Sequence, residues 1–138
     1  MKKRDIIGIV SEMETHIGKN NLSSLFVKEN SKNDNKKIGC NQFRDIAALC
    51  RGAECFEEIE MLIRYNMAKC RSGESWMFNC KDGELFGDII LDNLSEIKRA
   101  DKEDDNEVRK SFELYFGYLY WQSRIWAAES ASYGNKKG

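Results

Sequence analysis

Arginine, lysine and aromatic side chains recur together in this chain: Arg44 and Arg51, then Arg64, Tyr65, Lys69 and Arg71, then Arg124 close to Trp121. The planar fork of a guanidinium fits two phosphate oxygens at once, and a tyrosine or tryptophan ring offers a face on which a base can stack. Carried on helices, these two kinds of side chain can hold single-stranded RNA by its backbone without reading its sequence. The competing reading is a solvated helix face. Between Lys28 and Arg71 the bases are only mildly in excess, opposed by Glu29, Asp34, Asp45, Glu54, Glu57, Glu58 and Glu60.

Other chemistries are poorly provided for. Acid-base or nucleophilic catalysis needs a base within hydrogen-bond reach of its target, and His16 is the one histidine. It stands beside Ile17 near the end of a predicted helix, where an exposed or capping role suits it. Gly73-Glu74-Ser75-Trp76 falls short of the nucleophile elbow and follows a helix where that motif needs a strand. Phosphate-loop, dinucleotide and zinc-protease signatures do not occur. Cys40, Cys50, Cys55, Cys70 and Cys80 form no Cys-x-x-Cys pair and are odd in number, so neither a disulfide framework nor a zinc site is expected. Buried or half-buried thiols in a reducing compartment fit better. The acidic pairs Glu57 with Glu58 and Asp101 with Glu103 lack the glycine-turn spacing of a calcium loop. The expectation is a protein with no catalytic site, no metal and no cofactor.

The net charge of -1 conceals an uneven distribution. From Asp82 to Glu107 only Lys98, Arg99 and Lys102 interrupt a run of acids, and that stretch repels phosphate.

Helices must position these side chains, because the chain has 0 prolines and its apolar residues follow helical periods. With 138 residues, 41% of them hydrophobic, it has the size and composition of one domain with one core. A first helix is predicted over about Asp5 to Ile17 on Ile6, Ile9, Val10, Met13 and Ile17, closed by Gly18. Asn21 then caps a short turn carrying Leu22, Leu25 and Phe26, and residues 29–39 read as a flexible polar loop. Asn41 is placed to cap a segment running to Arg71, either a bent helix or a hairpin broken near Gly52.

Residues 76–83 read as a short extended piece and turn or, preferably, as a loop packing Trp76 and Phe78 on the core. A helix over Glu84 to Arg99 follows on Phe86, Ile90, Leu94 and Ile97. A last helix, Glu107 to Ala131 with Asp105 or Asn106 as its cap, carries Val108, Phe112, Tyr115, Leu119, Gln122 and Trp126, widened by Leu114, Tyr118, Trp121 and Ile125. So broad an aromatic face suits the central helix of a bundle. Residues 132–138 are expected to fray. The fold class is therefore all-α, a single-domain bundle of about five helices spanning residues 1–138. No apolar run approaches a membrane span and no secretory signal opens the chain, which points to the cytoplasm.

Three segments in this order, Phe43-Arg44-Asp45-Ile46, Leu62-Ile63-Arg64-Tyr65-Asn66-Met67-Ala68-Lys69 and the aromatic Phe112 to Trp126 helix opening with Phe112-Glu113, resemble the small all-helical subunits of type III CRISPR effector complexes. In a related branch of these subunits the chain ends on Trp-x-x-Arg-x-x-Ala, to which Trp121-Gln122-Ser123-Arg124-Ile125-Trp126-Ala127 is similar. Lys69 stands where an arginine is more typical, and residues 76–83 make a long insert. The resemblance implies an antiviral scaffold without catalysis. It would stack in copies of itself, contact other effector-complex subunits, and line the path of single-stranded RNA or the guide-target duplex backbone. Arg44, Arg51, Arg64, Lys69, Arg71 and Arg124 are the phosphate-contacting residues under that reading. A helical protein-interaction module, such as a phage inhibitor or antitoxin-like protein acting through its acidic 82–107 surface, is the alternative. A sequence-specific DNA regulator ranks last, since no helix-turn-helix pair stands out.

Overall fold

Ile6, Val10, Met13 and Ile17 fall at spacings of three and four and form the buried stripe of the first helix, α1 (Lys3–Ile17). Gly18 ends it with φ 96°, a left-handed conformation that glycine adopts without strain. The computed structural model describes residues 1–29 and 36–137, with side chains through residue 129. Residues 30–35 of the expected loop, and the side chains of the expected frayed tail, lie outside the described residues.

After α1 a 3-10 turn, Lys19–Asn21, leads into the one-turn helix α2 (Leu22–Leu25). Asn21 does not cap α2. Its side-chain amide instead donates back to the carbonyl of Ile17 at 2.8 Å and helps close α1. β1 (Phe26–Val27) then pairs in parallel with β2 (Ile38–Gly39), in the register Phe26 to Ile38 and Val27 to Gly39. The expected loop therefore stops short of Ile38, which is fully buried. A lone apolar residue in a polar run has no periodicity to announce it, and pairing with β1 is what takes it into the core.

α3 (Asn41–Gly52) and α4 (Phe56–Ala68) are two helices, so the chain does break after Gly52. Asn41 is the first helical residue of α3 rather than its cap. The joint is pinned by the start of the last helix: the Arg109 guanidinium donates to the Ala53 carbonyl, and the Phe56 N–H donates to Asp105 Oδ1 at 2.9 Å. Residues 76–83 pack as expected, with Trp76 buried and Phe78 half-buried against the core. Trp76 Nε1 donates to Gln42 Oε1 at 3.2 Å, and one antiparallel bridge, Asn79 to Leu85, draws the loop closed. That bridge delays α5 (Phe86–Ala100) to Phe86, two residues beyond its expected start.

α6 (Asp105–Lys137) begins on Asp104, whose carboxylate accepts from the Glu107 N–H at 3.0 Å, so the cap lies one residue before the expected Asp105 or Asn106. Its backbone continues past Ala131 to Lys137. Val108, Phe112, Tyr115, Phe116, Leu119 and Trp126 are buried, and α1, α2, β1, α3, α4 and α5 all pack on this helix. Phe26 stacks on Trp126 with centroids 5.5 Å apart, while Phe43, Trp76 and Phe86 pack edge-on or tilted beside them. Burying each such ring contributes about 1.5–3 kcal/mol. The fold is all-α apart from the two-residue ladder, and α6 is its central helix. Among the described residues no helix is long and apolar enough to cross a membrane.

Candidate nucleic-acid interface

α3 runs antiparallel along α6. Arg51 Nε donates to Glu113 Oε1 at 3.1 Å and to Oε2 at 3.2 Å; two turns earlier on α3, Arg44 lies over the ring of Tyr120, 5.8 Å from its centroid. A residue seven places further along a helix returns to nearly the same face, so Arg44 and Arg51 share the edge of α3 that borders α6.

Arg124, one turn beyond Tyr120 on α6, also lies 5.8 Å from the centroid of that ring. The fold thus brings two guanidinium groups from distant parts of the chain to one tyrosine. Arg124 has no carboxylate partner among the described residues, and the partner of Arg44 is its neighbour Asp45 at 3.6 Å, with both side chains largely exposed. An exposed pair of that kind contributes little and yields readily to a competing anion.

Beneath the arginines lie Cys40 and Ser123, both fully buried. Burial pushes the Cys40 thiol up from its ordinary value, while a hydrogen bond with Ser123 and the positive charges of Arg124 and Lys28 pull against that rise. Tyr120 was missed as a site residue by sequence reasoning. Tyr120 had a usable signal, since it precedes Arg124 by four residues and so lies on the same side of the helix.

The remaining candidates form a second group. Arg64, Lys69 and Arg71 are exposed at the C-terminal end of α4 and just beyond it. Lys69 Nζ lies 5.1 Å from the centroid of Tyr65, which is 61% exposed. No ion pair or ring contact joins this group to the Arg44 patch among the described residues, so the six basic residues divide into two sets. Arg51 is paired with Glu113 through its Nε–H alone, which both carboxylate oxygens share, and its side chain is largely exposed.

Elsewhere the polar side chains are arranged differently. His16 is exposed in the last turn of α1. The Glu84 carboxyl is raised above its ordinary value, first by desolvation and then by a hydrogen bond and like charge from Asp92, with His16 opposing. Lys98, one of the few bases in the acidic stretch, turns inward to Glu60 at 3.1 Å and lies over the ring of Phe56. No group of three or more metal-ligating side chains is found among the described residues. Two surface hollows of about 580 Å³ each are open to solvent; one lies between the end of α1 and Lys81, the other between α1 and Glu96.

No family model, curated protein or solved structure matches the chain.

Proposed function

We propose that this chain is a non-catalytic helical scaffold that follows an RNA backbone, in the manner of the small subunit of a type III CRISPR effector complex. The observation that supports this reading best is the convergence of Arg44 and Arg124 on Tyr120. Two like charges held at one half-buried aromatic repel each other in the free protein, and a phosphate between them turns that repulsion into attraction. The Tyr120 ring holds the two guanidinium groups together, so the contact is made to phosphate and the base beside it is free to vary. Arg64, Lys69 and Arg71 offer a second contact point for a longer strand, and other subunits of the complex would supply any cleavage.

Fluorescence anisotropy with labelled single-stranded RNA over a salt series tests the reading. Binding should weaken with rising salt, with a log-log slope of about -0.7 per phosphate neutralised. Arg44→Ala and Arg124→Ala should each weaken binding for unrelated sequences alike and make the slope shallower, while Arg51→Ala should do less because RNA must compete with the Glu113 carboxylate for that guanidinium. Absence of RNA binding by both the chain and its assembled complex would sink it.

One observation favours a second reading. With Lys98 turned inward to Glu60, the exposed surface of the acidic stretch is left with Asp82, Asp92, Glu96, Glu103, Asp104, Asp105 and Glu107 against Arg99 and Lys102. A protein-interaction module acting through this surface on a basic partner would show salt-sensitive binding abolished by Asp92→Lys and indifferent to Arg124→Ala.

A further inference from the structure

Six residues of α6 lie outside its core-facing stripe at spacings that read the same from either end: Lys110, Leu114, Tyr118, Trp121, Ile125 and Glu129, separated by four, four, three, four and four. These spacings hold them to one side of the helix. Trp121 is 64% exposed and Ile125 49%; Leu114 and Tyr118 are half-buried, and Lys110 and Glu129 are exposed. Tyr118 and Trp121 touch, with ring centroids 5.9 Å apart. Sequence periodicity suggested that these apolar residues widen the core stripe, but the fold leaves its outer half in water.

Reversed, the pattern complements itself. We infer that this face of α6 packs on the same face of a second copy of the chain, with the two α6 helices antiparallel about a two-fold axis between Tyr118 and Trp121. The axis sets Leu114 against Ile125 of the second copy, Tyr118 against its Trp121, and Lys110 against its Glu129. Each apolar residue meets an apolar residue and each charge meets its opposite. Lys110 has only a long 4.0 Å contact with Glu107 to give up.

The row also divides into two i±4 ridges, Lys110-Leu114-Tyr118 and Trp121-Ile125-Glu129, and the two-fold brings one ridge of each copy to the other ridge of its partner. Interdigitated i±4 ridges are the commonest way for helices to pack. Trp121 and Tyr118 fall at the centre, where interfaces concentrate their binding energy, with the charged pairs at the rim. The contact is isologous and therefore closes at two copies. One helix pair buries less than about 1,200 Å² in total, so the dimer is reversible and depends on concentration. Tyr120 faces α3, about 100° round the helix from Trp121, so this contact does not rest on RNA binding.

Sedimentation velocity on the full chain over a broad concentration series is the test. The mass should rise from 16.0 kDa towards twice that value as concentration increases. Trp121→Glu should hold the chain at the monomer mass, with helical circular dichroism unchanged because the residue is exposed. Lys110→Glu and Glu129→Lys should each shift the midpoint to higher concentration, and the two together should restore it, since the swap recreates both cross-pairs. A wild type that stays monomeric at the highest concentration reached, a mass that grows past the dimer, a dimer indifferent to Trp121→Glu, or a charge swap without rescue would each overturn the proposal. The first of these outcomes would assign the row to a different protein.

Discussion

Asn93 Nδ2 donates to Tyr115 Oη across 2.8 Å, which ties the middle of α5 to the middle of α6, and the same phenol oxygen lies 3.3 Å from Met13 Sδ on α1. Three helices meet at this one hydroxyl in a fully buried site. Desolvation drives the tyrosine's ionisation well above its usual range and the Asn93 amide only partly offsets it, so the group stays a neutral phenol.

Tyr115→Phe should therefore lower the unfolding free energy by about 0.5–1.5 kcal/mol, the net worth of one hydrogen bond, because the half-buried Asn93 amide can turn to water. Asn93→Ala should cost more, because the fully buried hydroxyl is left with only its weak contact to sulfur. Urea denaturation followed by circular dichroism measures both, and an unchanged midpoint for Tyr115→Phe would show that the amide finds another partner.

Thiol reactivity should divide the cysteines. Burial pushes Cys50 and Cys80 up to about 12, with Glu113 and Glu84 respectively adding to the rise, and Cys40 is shifted in the same direction. The reactive species is the thiolate, so these three should label slowly in the native state. Cys55 and Cys70 are only half-buried and should react first. Mass spectrometry after brief alkylation at pH 8 reads the order directly; early modification of Cys50 would mean that α3 opens readily from α6.

Glu84, just before α5, and Asp92 on it predict a pH dependence. Glu84 titrates above its ordinary value in the folded protein, so between the two values the native state binds more protons than the unfolded chain. Stability then falls as pH rises from 4.5 through the folded value, and neutral pH retains that deficit. Glu84→Gln should raise the neutral-pH melting temperature and flatten the profile in that window. A variant whose profile parallels wild type would place the repulsion elsewhere.

The helices could be read from the sequence wherever apolar residues repeat for three turns or more, as Ile6 to Ile17 and Phe86 to Ile97 do. Their ends could not. Asn21, Asn41 and Asp105 all have side chains suited to capping, yet Asn21 bonds backward, Asn41 sits inside its helix and Asp105 reaches across to Phe56. Which backbone group a short polar side chain meets depends on where the rest of the chain goes. The same limit governs the basic surface. Composition marked Arg44 and Arg124 separately, but only the antiparallel packing of α3 on α6 shows that they share Tyr120 while Arg51 pairs with Glu113.

The place of α6 in the chain has a consequence for synthesis. Every preceding helix packs against α6, and Phe26, near the start of the chain, stacks on Trp126. A nascent chain leaving the ribosome therefore makes α1 to α5 without the surface they are shaped to cover, and cannot close its interior until residues around Trp126 have emerged. Until then Phe26, Phe43, Trp76 and Phe86 must wait as exposed rings, the kind of surface that holding chaperones grip. Folding of these helices is accordingly a single event that waits for α6, and a ribosome stalled before α6 holds a chain with nothing to fold around.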